Sequence, residues 1–196
     1  TEAKYYGENS LGDPKLGVIE NNLLCMTCHK TNQNCPGHCG LINFPIKFLN
    51  PTCAKEGIYV AQCVCNSCGK LILDKETIKS HDIDSLRDIA KLKKLAELSE
   101  KNRCTNISDD GYKCDMNPTY YPSKIKGELK ILCEYPSHGK EKSIKFVQPI
   151  EQLSMIYESI SPEDLKTLGF ENGSHPRNFI MSGMLVIPPQ ARPPDV

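Results

Sequence analysis

Eleven cysteines fall in a chain of 196 residues, and their spacing constrains the fold more than any other feature. They are Cys25, Cys28, Cys35, Cys39, Cys53, Cys63, Cys65, Cys68, Cys104, Cys114 and Cys133. An odd number cannot pair completely into disulfides. The N-terminus, TEAKYYGENSLGDPKLG, carries no apolar segment that would direct the chain into an oxidising compartment. Two Cys-x2-Cys pairs, Cys25/Cys28 and Cys65/Cys68, point to metal instead. Thiolates three residues apart on a tight turn both reach one ion at about 2.3 Å, with backbone amides turned toward the sulfurs.

The first set is nearly contiguous. Cys25-Met-Thr-Cys28 is followed six residues later by Cys35-Pro-Gly-His38, where Pro36 and Gly37 make a turn on which Cys35 and His38 converge. These four residues predict a zinc site of three cysteines and one histidine. His29 adjoins Cys28 and Cys39 adjoins His38. Neighbouring side chains point in different directions, so the x2 spacing favours His38 and leaves Cys39 as a small buried apolar residue.

The second set is discontinuous. Cys65-Asn-Ser-Cys68-Gly69 is a knuckle with glycine where the chain turns back. Cys104 and Cys114, flanking the polar loop TNISDDGYK, are the best remaining pair. Cys53, Cys63 or Cys133 could stand in for one member, although Cys63 sits too close to Cys65 to share its turn and Cys133 falls on an alternating strand pattern that reads as core. Four protein ligands leave no position for water or substrate, so both zincs are predicted to be structural and not hydrolytic. A thioredoxin-like reading lacks a βαβ context. Structural zinc also suits a chain with eight Tyr, five Phe and no Trp.

Between these ligands the pattern predicts an irregular α+β fold stabilised by zinc, with a β-hairpin and several short to medium helices. Residues 1–24 read as irregular and 41–49 as extended; 57–65 read as strand or short helix, and 71–74 as extended. Apolar periodicity predicts a helix from Ile83 to about Arg103, with Arg87, Lys91, Lys93 and Lys94 on its polar face. ELKILCEY (128–135) and KSIKFVQ (142–148) alternate around PSHGKE and predict a hairpin. A helix is expected over 148–160, followed by a short one that Ser161 caps, Pro162 opens and Gly169 closes. Residues 179–189 read as a strand leading into a Pro-rich exit, IPPQARPPDV, that packs against nothing in sight. Three parts follow: 1–80, 81–127 and 128–196. With no initiator Met and an exit that leads onward, the chain reads as a piece of a larger protein.

Charge narrows the function classes. The 24 Lys+Arg cancel the 24 Asp+Glu, so the chain lacks the overall basic bias of a dedicated nucleic-acid binder. Residues 101–150 carry nine basic and six acidic side chains, and 151–196 carry three and six. No stretch approaches the roughly 18 apolar residues of a membrane span. No glycine-rich phosphate loop, HExxH or nucleophile elbow is present. Asp82, Asp84 and Asp88 open the Lys-rich helix, where the helix dipole favours them, without a glycine turn to gather them on Mg²⁺. No catalytic residue is assigned to this stretch of chain.

Taken together, DPKLGVIE (13–20), CMTCHKTNQNCPGHCG (25–40), CVCNSCGKLILD (63–74), ISPEDLKTLGF (160–170) and MLVIPPQARPPDV (184–196) resemble the N-terminal clamp region of the largest subunit of multisubunit DNA-directed RNA polymerases, the eukaryotic RNA polymerase II type above all. The resemblance implies a clamp-head fold with one zinc held by three cysteines and a histidine, and a second held by four cysteines. By position these are Cys25, Cys28, Cys35 and His38, and Cys65, Cys68, Cys104 and Cys114.

It also implies a nucleotidyltransferase parent whose Mg²⁺ centre lies outside this stretch, and a module that closes over the DNA/RNA hybrid. The expected partners are other polymerase subunits, template DNA and transcription factors that dock on the clamp. The location would be the nucleus for a cellular enzyme, and the host cytoplasm or virion for a viral one. Phosphate contacts would come from among Lys91, Lys93, Lys94, Lys124, Lys126, Lys140, Lys142 and Lys145. The alternative is a free-standing zinc-ribbon adaptor that binds proteins or RNA.

Overall fold

Chain segments group into two units, residues 1–46 with 182–196 and residues 47–181. A computed structural model describes residues 7–107, 110, 111, 113, 114, 119–122, 130–135, 143–171 and 173–192. The elements are mixed α and β, and the chain passes between the units within strand β1 (Gly40–Leu49) and within strand β5 (Ile180–Val186), which pair with each other.

In the first unit, Asp13 accepts a hydrogen bond from the Lys15 amide at 2.8 Å and caps the 3-10 turn Pro14–Leu16. That backbone donor holds the Asp13 carboxyl below its usual range. The loops that carry Cys25, Cys28, Cys35 and His38 follow, and then β1, as the apolar run 41–49 predicted. The C-terminal segment departs from expectation twice. The strand stops at Val186 and gives way to a 3-10 turn, Pro189–Ala191. That exit also packs onto the N-terminal loop: Gln190 Nε2 donates to Val18 O at 3.0 Å, and Arg192 Nη2 donates to Leu11 O at 2.6 Å. These bonds link residues more than 170 positions apart in sequence. Local pattern carries no signal for such a contact.

The second unit holds the main core. Residues 54–63 form helix α1 (Ala54–Cys63), which settles the strand-or-helix alternative. Its buried positions Gly57, Ile58, Val60, Ala61 and Cys63 recur at helical spacing. Gly57 is needed there, because a Cβ would lie 2.9 Å from Tyr157 Oη and 3.1 Å from Leu49 Cδ1. The Tyr157 hydroxyl donates to Gly57 O at 2.7 Å, and its ring meets Phe179 edge-on at 6.4 Å.

Asp74 accepts from the Thr77 amide at 2.6 Å and starts α2 (Lys75–Ser80). The expected long helix is shorter than its periodicity. Ile83–Ser85 is a separate 3-10 turn, Leu86 and Arg87 are extended, and α3 runs only over Asp88–Lys101. The extended backbone at Leu86 and Arg87 and the left-handed Asp88 (φ 51°) break the predicted helix, and Ile83 in the preceding turn is buried. The stripe Leu92, Leu95, Ala96 and Ser99 is the buried face of α3.

The predicted hairpin is present as β3 (Ile131–Tyr135) against β4 (Ile144–Val147), antiparallel with Cys133 opposite Phe146. A third strand, β2 (Thr119–Pro122), adds to the other edge and places Tyr120 opposite Cys133. It escaped the sequence reading because TYYP is only four residues long and ends in proline. Helix α4 (Ile150–Glu158) turns Leu153, Ile156 and Tyr157 inward. Helix α5 (Pro162–Leu168) has the expected caps: Ser161 Oγ accepts from the Asp164 amide at 3.1 Å, and Gly169 is left-handed at φ 95°.

Candidate metal centres

Both Cys-x2-Cys segments fold into one backbone shape. In the first, the Cys25 amide donates to Lys30 O at 3.0 Å and the His29 amide donates to Cys25 O at 2.8 Å. In the second, the Cys65 amide donates to Lys70 O and the Gly69 amide to Cys65 O, each at 2.9 Å. The residue after the second cysteine is left-handed in each case, His29 at φ 55° and Gly69 at φ 69°. His29 is exposed and holds a backbone corner; it is not among the converging donors. Left-handed backbone is costly for a residue with a Cβ, so His29→Gly is expected to stabilise the metal-loaded protein by about 0.5–1 kcal/mol. Thermal unfolding checks it, as a rise of about 2–4 °C per kcal/mol.

The structure brings together the eight residues chosen from spacing, in two sets. The donor atoms of Cys25, Cys28, Cys35 and His38 lie within 4.8 Å of one another, as do those of Cys65, Cys68, Cys104 and Cys114. Among the described residues no other group of three or more His, Cys, Asp or Glu donors does so, and Asp82, Asp84 and Asp88 do not converge. Cys35 Sγ is 3.6 Å from His38 Nε2; Cys65 Sγ is 3.3 Å from Cys114 Sγ, and Cys68 Sγ is 3.6 Å from Cys104 Sγ. Legs of about 2.3 Å at the tetrahedral angle require sulfur–sulfur edges of roughly 3.8 Å, whereas a disulfide needs about 2.05 Å. The spacing fits a shared tetrahedral cation and excludes disulfides. Thiolate and imidazole are also the donors zinc prefers.

The electrostatics lead to the same chemistry. Burial works against the Cys25 thiolate, but the amides of Cys28 and Thr27 and the neighbouring thiols outweigh it and hold the group below its ordinary value. For Cys35 the Gly37 amide favours the thiolate, yet burial and the sulfurs of Cys28 and Cys25 push it up. Burial foremost, and then crowding by neighbouring sulfurs, raises Cys65 and Cys104. Three or four packed thiols cannot all ionise unless a cation neutralises them, so metal uptake at these sets would release protons.

The remaining cysteines divide by environment. Cys63 and Cys133 are fully buried, and burial pushes their thiols up to about 12 and about 11 respectively. They are apolar packing groups and stand outside both donor sets, as does half-buried Cys53. Cys39 is a correction. It is exposed, not buried, because Gly40 begins β1 and the side chain before it faces outward.

Sequence reasoning missed Asn106. Its Nδ2 donates to Cys104 Sγ at 3.3 Å and Cys68 Sγ at 3.7 Å, and to Leu71 O at 3.0 Å. The amide bridges sulfurs from two distant chain segments. Only its position two residues after Cys104 could have hinted at this. Partners outside the ligand set commonly contribute 10–100-fold to metal affinity, so Asn106→Ala is expected to weaken zinc binding by about that factor at unchanged stoichiometry, read by chelator competition.

Of the lysines proposed for phosphate contact, Lys91 pairs with Asp84 at 3.2 Å, Lys93 with Glu97 at 3.8 Å and Lys145 with Glu134 at 3.2 Å. Lys124, Lys126, Lys140 and Lys142 lie outside the described residues. Among the described residues, no helix is long and apolar enough to cross a membrane.

The family model described as RNA polymerase Rpb1, domain 1, matches residues 2–194. The chain is 26% identical over 193 residues to the probable DNA-directed RNA polymerase II subunit RPB1 homolog of Invertebrate iridescent virus 6, covering 94% of this chain and 18% of that protein. It is 29% identical over 203 residues to DNA-directed RNA polymerase II subunit RPB1 of Euplotoides octocarinatus, covering 95% of this chain and 40% of the relative. Against DNA-directed RNA polymerase III subunit RPC1 of Debaryomyces hansenii it is 36% identical over 104 residues, 49% of this chain and 7% of that subunit. The chain therefore spans well under half the length of these relatives.

Proposed function

The chain belongs to the RNA polymerase Rpb1 domain 1 family, and from that premise we propose that it is the clamp module of a largest polymerase subunit, closing over the DNA/RNA hybrid during transcription. The match across residues 2–194 carries this reading. It does not favour the free-standing adaptor. Two structural zinc ions, one on Cys25, Cys28, Cys35 and His38 and one on Cys65, Cys68, Cys104 and Cys114, stiffen loops that lack a large apolar core of their own. Rigidity is what a swinging wall needs, because a soft clamp would dissipate closure in internal bending. The nucleotidyl transfer and its Mg²⁺ belong to the rest of the subunit. The partners are the other polymerase subunits, the template and hybrid, and transcription factors that dock on the outer face. The location is nuclear in a cellular enzyme and cytoplasmic or virion-borne in a viral one.

Contact with nucleic acid would run through phosphates without base readout. Three of the described candidate lysines are already in ion pairs, which supports a module with few phosphate contacts that mainly braces its neighbours. The test is an assembled polymerase whose largest subunit carries Cys65→Ser with Cys68→Ser. Nucleotide addition on a preformed hybrid scaffold is expected to survive, while the complex dissociates several-fold faster under a salt challenge. Unchanged dissociation in an enzyme shown to lack the second zinc would sink the clamp assignment.

A further inference from the structure

The segment that follows β5 meets both halves of the first donor set, all of it within the unit of residues 1–46 and 182–196. Gln190 Nε2 donates to Val18 O at 3.0 Å. Val18 is 4% exposed and packs with the Cys25 and Cys35 side chains in a small cluster, with half-buried Cys28 against it. Val18 is the member of that cluster that offers no metal donor. On the other side lies Gly37, between Cys35 and His38. A Cβ there would fall 2.7 Å from Pro188 Cβ and Cγ and 3.2 Å from Gln190 Oε1. A Cβ at Gly17 would fall 2.5 Å from Gln190 Nε2 and 2.6 Å from its Oε1. Both glycines of the ligand loop thus leave space that the Gln190 amide and the Pro188 ring occupy.

The position of this amide has a mechanical consequence. Four donors hold one ion only while the Cys25–Cys28 knuckle stays against the turn that carries Cys35 and His38. The cluster around the sulfurs is small, so apolar packing adds little to keep the halves together. Gln190 faces both at once, through its N–H on Val18 O and its Oε1 beside Gly37. Arg192 fixes the segment in turn: its Nη2 donates to Leu11 O at 2.6 Å and to Ile187 O at 3.0 Å. Groups outside the ligand set tune metal affinity by holding ligands in place.

We propose that Gln190 is a positioning residue for the first metal centre, and that residues 188–192 latch its two halves together, so that lifting this segment loosens zinc there and not at the second centre. The inference rests on the proposed metal reading of Cys25, Cys28, Cys35 and His38. The zinc-loaded 196-residue chain is titrated with a chelator while the ring nitrogens of His38 and the methylene carbon of Cys104 are followed by NMR. His38 is the one histidine in either donor set, so its signals report the first centre and those of Cys104 report the second.

Gln190→Ala and Gln190→Met should each weaken zinc binding at the first centre by about fivefold, the net contribution of one neutral hydrogen bond, and leave the second unchanged. Methionine matches glutamine in length but lacks the N–H, so parent-like affinity in Gln190→Met would reduce the contact to packing and overturn the positioning role. Pro188→Ala removes the ring against Gly37 and should weaken the same centre even if neither Gln190 variant folds. Equal losses at both centres, or no loss at the first, overturn the latch, while zinc-dependent signals of His38 and Cys104 in the parent chain keep the metal reading standing. Parent His38 signals that zinc does not move overturn both.

Discussion

Replacing Cys104 with serine is expected to abolish the cooperative unfolding of the unit formed by residues 47–181 and to leave one zinc per chain. Serine keeps the size of the side chain but is not a zinc ligand of any strength. Cys104 is 1% exposed and packs with Cys65 and Ile72 in a small cluster of its own, separate from the main core. The site ties the segment after α1 to the segment after α3, so its loss frees both at once. A structural zinc contributes roughly 10–16 kcal/mol of apparent folding free energy, and the whole net stability of a typical domain is about 5–15 kcal/mol. The apolar core alone cannot offset a loss of that size. Far-UV circular dichroism during heating, with metal analysis of the same sample, reads the outcome. Chelator treatment of the unmutated chain should reproduce it, whereas Cys53→Ser should leave both metals and the melt intact. A Cys104→Ser protein that still melts sharply within a few degrees of the parent would show that no metal holds this unit together.

His38→Ala and Cys39→Ala should differ by far more than their adjacency suggests. His38 presents Nε2 at 3.6 Å from Cys35 Sγ, and its amide donates to Leu16 O at 2.9 Å. The ring is thus placed by the turn between Cys35 and His38 and by a second anchor on the Pro14–Leu16 turn. Gly37 makes the approach feasible: it is left-handed at φ 79°, and a Cβ there would lie 2.7 Å from Pro188. Removing the imidazole leaves three thiols around an incomplete tetrahedron. The loss of zinc affinity at the first site should exceed the roughly 10–100-fold that partners outside the ligand set contribute. Cys39 is exposed and outside the converging donors, so Cys39→Ala should leave affinity within experimental error. Competition with a chromophoric chelator separates the two. Equal losses would mean that the ligand set has been assigned to the wrong neighbour.

Where the sequence reading succeeded, the information was local. The two knuckles, the turn between Cys35 and His38, the Ser161 and Gly169 caps and the pairing of Ile131–Tyr135 with Ile144–Val147 all follow from residues a few positions apart. The register of a knuckle depends on backbone hydrogen bonds within six residues, and ligand spacing encodes that directly. Even Cys104 and Cys114, distant from Cys65 and Cys68, were reachable because the polar loop between them sets them apart from Cys53, Cys63 and Cys133, and their sulfurs do converge with those of Cys65 and Cys68.

The amino-acid order by itself determined which eight side chains meet, because thiolate and imidazole are chemically singular and their spacing matches the reach of one ion. Only the tertiary structure decided the rest. It exposed Cys39, buried the thiol of Cys63, started α3 at Asp88 and not at Ile83, added β2 to the hairpin and carried Asn106 to two sulfurs. It also folded Gln190 and Arg192 back onto residues near the N-terminus. Each of these depends on which segments lie beside one another after folding. Burial and hydrogen bonding act through space, so no spacing along the chain can announce them.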